Sequence, residues 1–402
     1  MRGTRLEAVW RSLCAGLAIL SLCALSAENA FARTHIHSAH RQIAPKAAAL
    51  IAPYAAACLM ESTTGQTLLQ QNMHQPWPAA SLAKMMLMVI VARKLDDGSL
   101  KLADRITTSR NAARMGGSQV YLKEGETFSL DDMMKAVVVH SANDASVAVA
   151  EYIAGSTGAF VQMMNQDAVR LGMKDTHYYS VDGLPPGPGE QPDVSSAYDL
   201  ALLARALVGY PQILRWSSIS TSPFRNGAFE LRNTNHLVRT YPGCDGLKTG
   251  FYYKAGFNVV ATADRNSLRL IAVVLGSPRK AENFKQAAVM LSQGFANYEM
   301  YSVARRGTTI PREVAIGGGV TASVMPVWGK NVSIFLPREA RKDRVKIAYE
   351  IPSSLPAPIK IGQKLGTANV TLDGMLITSA DLIAPDAIAA RPSLLYRVLG
   401  LL

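Results

Sequence analysis

Apolar and polar residues alternate through AAACLMESTTGQTLLQQN on either side of Thr64-Gly65, and this predicts a hairpin of two strands. A different rhythm follows. From Ser81 to Leu95 the chain is apolar nearly all round, the pattern of a central buried helix opened by Pro78-Ala79-Ala80-Ser81. SLDDMMKAVVVHSANDASVAVAEYIAG predicts two helices with a break at His140 to Asn143; Ser129 is the N-cap of the first, with Asp131 and Asp132 in its opening turn. Helical periodicity resumes over 158–171 and again in SSAYDLALLARALV, and between them the Pro- and Gly-rich VDGLPPGPGEQPD reads as a surface loop. DGLKTGFYY, FNVVATADRN and SLRLIAVVLGS are three strand-like runs, the last two joined by a turn at Asp264-Arg265-Asn266. RKAENFKQAAVMLSQGFANYEM then reads as one long helix. A hairpin at the start, three strands at the end and helices between them predict an α+β fold, an antiparallel sheet with a helical block packed on it.

From about Tyr301 the texture changes to short alternating runs, β-branched residues and Gly/Pro turns, which predicts a small all-β domain. The expected organisation is a signal segment over 1–32, an N-terminal tail over 33–50, a first domain over 51–302, the all-β domain over 303–388 and a short amphipathic tail over 389–402. The signal reading rests on Arg2, Arg5 and Arg11 ahead of the apolar stretch Leu13 to Leu25, followed by Ala30-Phe31-Ala32. That stretch is short of the ~20 residues that span a bilayer, so export followed by cleavage is favoured over a retained anchor. In the tail, Leu394, Leu395, Val398, Leu399 and Leu402 with Arg391 and Arg397 suit a membrane interface or a frayed end equally.

Export changes how charge and cysteine are read. Formal net charge is +12, and the signal segment holds little of it, so the mature chain is basic and suited to anionic lipid head groups or an anionic wall polymer. No nucleic-acid motif is present. Loss of Cys14 and Cys23 with the signal leaves Cys58 and Cys244, either one disulfide or two small buried thiols, with the latter favoured. His35, His37 and His40 lie in the polar tail, where a metal site has no rigid support.

The candidate chemistry begins at PAASLAKMML. Positions i and i+3 of a helix share a face, so the hydroxyl of Ser81 and the amine of Lys84 can meet. Leu82, Met85, Met86 and Leu87 would strip water from Lys84 and favour its neutral form, as a general base requires, while free N–H groups of the first turn favour an oxyanion. A hydroxyl beside its base outlines a serine acylation site. The same pair also fits an N-cap serine with a snorkelling lysine. Two further segments add weight: Ser141-Ala142-Asn143 at the helix break, and Lys248-Thr249-Gly250 on a strand, where the glycine would let a ligand approach and Lys and Thr suit a substrate carboxylate.

In this order, S-x-x-K, S-x-N and K-T-G resemble the motif trio of the penicillin-interacting serine hydrolases. From about Ala55 to Leu382, with HSANDAS, RNTNHL and DGLKTGFYYKAGFNVVATA, the chain resembles the low-molecular-mass penicillin-binding proteins, the serine-type D-alanyl-D-alanine carboxypeptidases. The resemblance implies a β-lactamase/transpeptidase-like first domain and an enzyme that removes the last D-alanine of peptidoglycan stem pentapeptides, with β-lactams as covalent inhibitors and no metal or cofactor. It implies Ser81 as nucleophile, Lys84 as its base, Ser141 and Asn143 as proton relay and amide ligand, Lys248, Thr249 and Gly250 as the carboxylate-binding strand, and the N–H groups of Ser81 and Phe251 as an oxyanion hole. It also implies peripheral contact with the membrane surface and a periplasmic or outer-face location.

A D,D-endopeptidase acting on crosslinks uses the same trio and stays as an alternative, as does a wall-binding protein without turnover. A class A β-lactamase is disfavoured, because the glutamate of PGPGEQPDVSS, Glu190, has Val194 four positions on where asparagine is expected. Asp144, Asp199, His140 and Cys244 are read as structural residues.

Overall fold

The structure is a computed structural model that describes residues 53–392 and a short strand at Ala48–Ala49. The signal segment, the tail histidines and the apolar C-terminal tail lie outside the described residues.

The predicted hairpin forms as β2 (Ala56–Glu61) and β3 (Thr67–Gln71), with β1 (Ala48–Ala49) parallel beside β3. Far along the chain follow β4 (Cys244–Tyr252), β5 (Gly256–Arg265) and β6 (Leu268–Ser277), and the six strands make one sheet in the order β1-β3-β2-β6-β5-β4. The turn from β5 to β6 falls on Asn266 and Ser267, both at positive φ (53° and 65°), slightly beyond the expected position and in the backbone that a tight two-residue hairpin requires. Alternation places the strand side chains in two cores. Ala56, Cys58 and Met60 of β2 face a large core with the helices, whereas Ala57 and Leu59 face a second core on the opposite side. Strand β6 divides in the same way, Ile271, Val273 and Leu275 against Leu270, Ala272 and Val274. A sheet covered on both faces accounts for the nearly continuous apolar runs in these strands.

The helical block comprises α1 (Lys84–Asp96), α2 (Leu130–Val139), α3 (Asn143–Ala154), α4 (Thr157–Arg170), α5 (Ala197–Leu207) and α6 (Pro211–Ser217). Helix α1 is buried on every side from Lys84 to Ala92, the central position its sequence predicted. Ser129 caps α2, accepting from the Asp132 N–H at 3.1 Å. The opposite sheet face is covered by α7 (Lys280–Asn297), which turns Phe284, Ala287, Leu291 and Phe295 inward at helical spacing.

Strand β7 (Tyr298–Ala304) starts where α7 ends and pairs with β8 (Val332–Pro337), so the all-β region begins at Tyr298 rather than near Tyr301, and the last residues of the predicted helix are strand. Strands β9 (Val345–Glu350), β10 (Lys364–Leu372) and β11 (Met375–Ile383) form a further antiparallel sheet around Trp328, Ile334, Leu336, Val370 and Leu382. Arg338 fastens the junction: its N–H donates to the Asn297 carbonyl (2.8 Å) and its Nε to that of Phe295 (3.2 Å).

Leu87 is fully buried in the central helix. Leu87→Ala is expected to cost about 2–5 kcal/mol of stability by leaving a cavity. A shift of the calorimetric unfolding midpoint reads it; an unchanged midpoint contradicts the central place given to α1.

Candidate active site

Backbone geometry brings the serine to the lysine. Ala80 takes positive φ (49°), and Ser81 then sits in a single 3-10 turn, Ala80–Ala83, immediately before α1. Ser81 therefore makes no capping bond, and Lys84 does not snorkel, being wholly buried. The N-cap reading of the pair is thereby excluded. Lys84 Nζ lies 3.0 Å from Ser81 Oγ, 2.7 Å from Asn143 Oδ1 and 2.5 Å from the carbonyl oxygen of Asp182. These three contacts satisfy an ammonium. A neutral amine has two N–H bonds and one lone pair, so donation to Asn143 and Asp182 leaves the lone pair facing the serine proton.

Burial lowers the Lys84 pKa from 10.5 to about 8, against the opposing charges of Asp182, Asp193 and Asp144. Lys248, from β4, is also wholly buried and is pushed well below its ordinary value, first by desolvation and then by the charge of Lys84. It donates to Ser141 Oγ at 2.8 Å and to the Thr249 carbonyl at 2.9 Å. The second and third motifs are thus joined by a hydrogen bond, and Ser141 holds positive φ (64°) in the break between α2 and α3. Ser81, Ser141, Thr249, Gly250 and Phe251 line one cleft of about 250 Å³. Phe251 stacks on Phe257 at its rim, ring centroids 4.2 Å apart.

Two glycines set how closely the parts approach. A Cβ on Gly250 would lie 2.8 Å from the Ala79 carbonyl oxygen and 3.1 Å from the Ser81 nitrogen, so this glycine admits the turn carrying Ser81 rather than a ligand alone. Gly183 has φ +74°, and a Cβ there would come within 1.9 Å of the Ala80 carbonyl oxygen. Here the expectation of a surface loop needs correction. Val181, Asp182 and Gly183 are buried, and only later residues of VDGLPPGPGEQPD reach solvent. Ser180 and Asp193 brace this corner: Ser180 Oγ receives the Gly183 N–H at 2.9 Å and donates to Asp193 Oδ2 at 2.5 Å.

A further positioning residue, Asn258, escaped the sequence reading. Asn258 Nδ2 donates to the Pro78 carbonyl (3.0 Å) while its Oδ1 accepts from the Gly276 N–H (2.8 Å), which ties the segment before Ser81 to the sheet. Asn143 is held by the loop before α2, its N–H donating to the Ser118 carbonyl (2.7 Å) and its Nδ2 to that of Gly116 (2.7 Å). The signal of Asn258 is an asparagine in an apolar run, the residue type that satisfies backbone at both ends of its amide.

The residues read as structural behave so. The Asp144 carboxylate accepts N–H bonds from Val120 (3.0 Å) and Leu122 (3.0 Å). Asp199 holds the loop at Asp175 and Thr176, and His140 accepts from the Arg232 N–H at 3.4 Å, with burial lowering its pKa. Cys58 and Cys244 are free and buried, and desolvation raises their thiols to about 12 and about 11.

Residues 43–279 match the family described as D-alanyl-D-alanine carboxypeptidase, and residues 298–390 match the C-terminal domain of penicillin-binding protein 5. The chain is 34% identical over 333 residues to the D-alanyl-D-alanine carboxypeptidase DacF of Bacillus subtilis, covering 82% of this chain and 84% of that one. It is 36% identical over 324 residues to DacD of Escherichia coli, covering 77% and 80%. Among solved structures it resembles penicillin binding protein 5 from Haemophilus influenzae, with TM-score 0.65, 30% identity, and coverage of 85% of this chain and 98% of that one. It also resembles penicillin-binding protein D2 from Listeria monocytogenes in its ampicillin-bound form, with TM-score 0.56, 30% identity and coverage of 61% and 99%.

Carbon-13 NMR of the lysine ε-carbons should show one side chain titrating near the value of about 8 that burial imposes on Lys84, and losing that transition in Lys84→Met. A Lys84 signal that stays ammonium-like up to pH 10 contradicts the desolvated amine.

Proposed function

The chain belongs to the D-alanyl-D-alanine carboxypeptidase family, the serine peptidases that include the low-molecular-mass penicillin-binding proteins, and from that premise we propose how its cleft works. The protein is a serine-type carboxypeptidase that removes the terminal D-alanine from peptidoglycan stem peptides, and β-lactams bind at the same site. In the reading advanced here, neutral Lys84 takes the proton of Ser81 as Oγ attacks the carbonyl carbon between the two D-alanines. The N–H groups of Ser81 and Phe251 receive the oxyanion. As the C–N bond breaks, the leaving amine takes a proton delivered from Lys84 through Ser141, and D-alanine departs. Water then attacks the ester, gives a proton to Lys84, and its oxygen becomes part of the product carboxylate while Ser81 recovers its hydrogen.

The observation that carries this reading is the 3.0 Å contact of Lys84 Nζ with Ser81 Oγ when two other acceptors already fix the amine. Asn143 serves twice, orienting Lys84 with Oδ1 and offering its amide to the substrate peptide. Lys248 keeps Ser141 in place and Thr249 faces the substrate terminus. Removal of D-alanine from finished wall peptides requires a place outside the cytoplasm, in keeping with the signal-like N-terminus. Among the described residues no helix is long and apolar enough to cross a membrane.

Ser81→Ala is expected to abolish covalent labelling by a fluorescent penicillin while the far-UV circular dichroism stays unchanged; labelling that persists refutes the nucleophile. Because the base acts in its neutral form, kcat/KM for acylation should rise with pH through the Lys84 value of about 8 and fall off below it. Lys84→Arg should reduce acylation by about 10²–10⁴-fold, the usual contribution of a general base. A flat profile between pH 6 and 9 excludes Lys84 as that base.

A further inference from the structure

Two carboxylates outside the three motifs lie buried near the catalytic amine. Asp182 and Asp193 are 3% and 4% exposed, near the start and at the end of VDGLPPGPGEQPD. The donors around them are neutral. Asp193 Oδ1 accepts from the N–H groups of Tyr179 (2.6 Å) and Ser180 (2.9 Å), and its Oδ2 from Ser180 Oγ (2.5 Å). Asp182 Oδ1 accepts from the Leu184 N–H (2.9 Å) and faces the same Ser180 hydroxyl at 3.3 Å. Burial raises the Asp193 carboxyl above its usual range and the bonds from Ser180 and Tyr179 act against it; three donors and no acceptor meet its oxygens, as an ionised carboxylate requires.

The two acids are tied to both halves of the nucleophile and base. Asp182 gives its backbone carbonyl to Lys84 Nζ (2.5 Å), and Ser180 Oγ, held by Asp193, accepts the N–H of the next residue, Gly183 (2.9 Å). On the other side the Asp193 carbonyl accepts the Ala79 N–H (2.9 Å), and Trp77–Pro78 pairs with Val194–Ser195 just ahead of Ser81. Hydrogen bonding alone does not call for acids here. Asparagine offers the same oxygen to these N–H groups, and burying a carboxylate among neutral donors is costly. What asparagine lacks is charge. Lys84 feels the charges of Asp182 and Asp193 from this corner and of Asp144 from α3, all of which favour its proton. Lys248, from β4, bears on the same region with the sign of Lys84, and Tyr178 and Tyr252 face Asp193 as phenols whose ionisation it opposes.

We propose that Asp182 and Asp193, bridged by Ser180, are a positioning pair for Lys84: they fix the carbonyl that holds the amine and keep two negative charges beside it. Burial weakens Lys84 as a base, and the pair restores part of that strength. The amine can then take the serine proton in acylation and the water proton in hydrolysis. The inference rests on Lys84 as the general base and adds the residues that set how strong a base it is.

The test is the pH profile of the second-order rate constant for acylation by a fluorescent penicillin, measured on the purified wild type, Asp193→Asn, Asp182→Asn and Ser180→Ala. Each asparagine keeps an acceptor oxygen and removes the charge, so Lys84 gives up its proton more readily. The rising limb is expected to move to lower pH by about half a unit or more, with a lower plateau above it because the amine is a weaker base. Ser180→Ala keeps both charges and loses the ties to Gly183 and Asp193, so its rate is expected to fall about two- to tenfold at every pH with the midpoint in place. Loss of rate in the asparagine variants at the wild-type midpoint, or a midpoint moved to higher pH, overturns the pair and leaves Lys84 as the base. A midpoint that moves as far in Ser180→Ala overturns the role given to charge, and the pair with it. A wild-type profile flat between pH 6 and 9 overturns the base reading beneath the proposal. If far-UV circular dichroism shows one asparagine variant unfolded, the other decides; loss of the fold in both makes the acids structural and overturns the positioning role.

Discussion

A primary amine shut away from water is the constraint on which the catalytic domain depends. Water would hold Lys84 as an ammonium, useless as a base. To remove water, the chain buries the first nine residues of α1 on all sides, which in turn requires a sheet below, helices around and a loop corner above. To keep the buried amine from becoming an uncompensated cost, it supplies two fixed acceptors, the side chain of Asn143 and the backbone of Asp182, together with nearby carboxylates that stop the pKa from falling further. Desolvation and those carboxylates act in opposite directions, and their balance leaves the amine close to the pH at which proton transfer is efficient in both directions.

The same region stores backbone strain. Ala80 and Ser141 are not glycines, yet both adopt positive φ, at a cost on the order of 1–3 kcal/mol each. Ala80 turns the chain so that Ser81 meets Lys84 one turn on, and Ser141 turns it so that a hydroxyl reaches Lys248 across the cleft. Packing from both sides maintains these conformations: Asn258 on the segment before Ser81, and the loop at Gly116–Ser118 on the residues around Ser141.

The sheet, the buried helix and the three motifs were legible because each has a one-dimensional signature, a period of two, an apolar run, or a residue pair at fixed spacing. What escaped was the part of the site made of backbone. The Asp182 carbonyl does as much to hold Lys84 as Asn143 does, but a carbonyl is present at every residue and marks none. VDGLPPGPG read as surface because proline and glycine report turning, not depth; Gly183 is there because the chain must pass against Ala80. The boundary before the second domain was blurred for a related reason: FANYEM suits either helix or strand, and pairing of β7 with β8 decides it.

Helix α7 carries cleft residues in its first turns and passes at Asn297 into β7 with no loop between, and Arg338 grips its last carbonyls. At 1.5 Å per residue it is a rod of about 27 Å. The second domain is therefore joined to the wall of the catalytic groove by one continuous element, with no hinge loop at that joint.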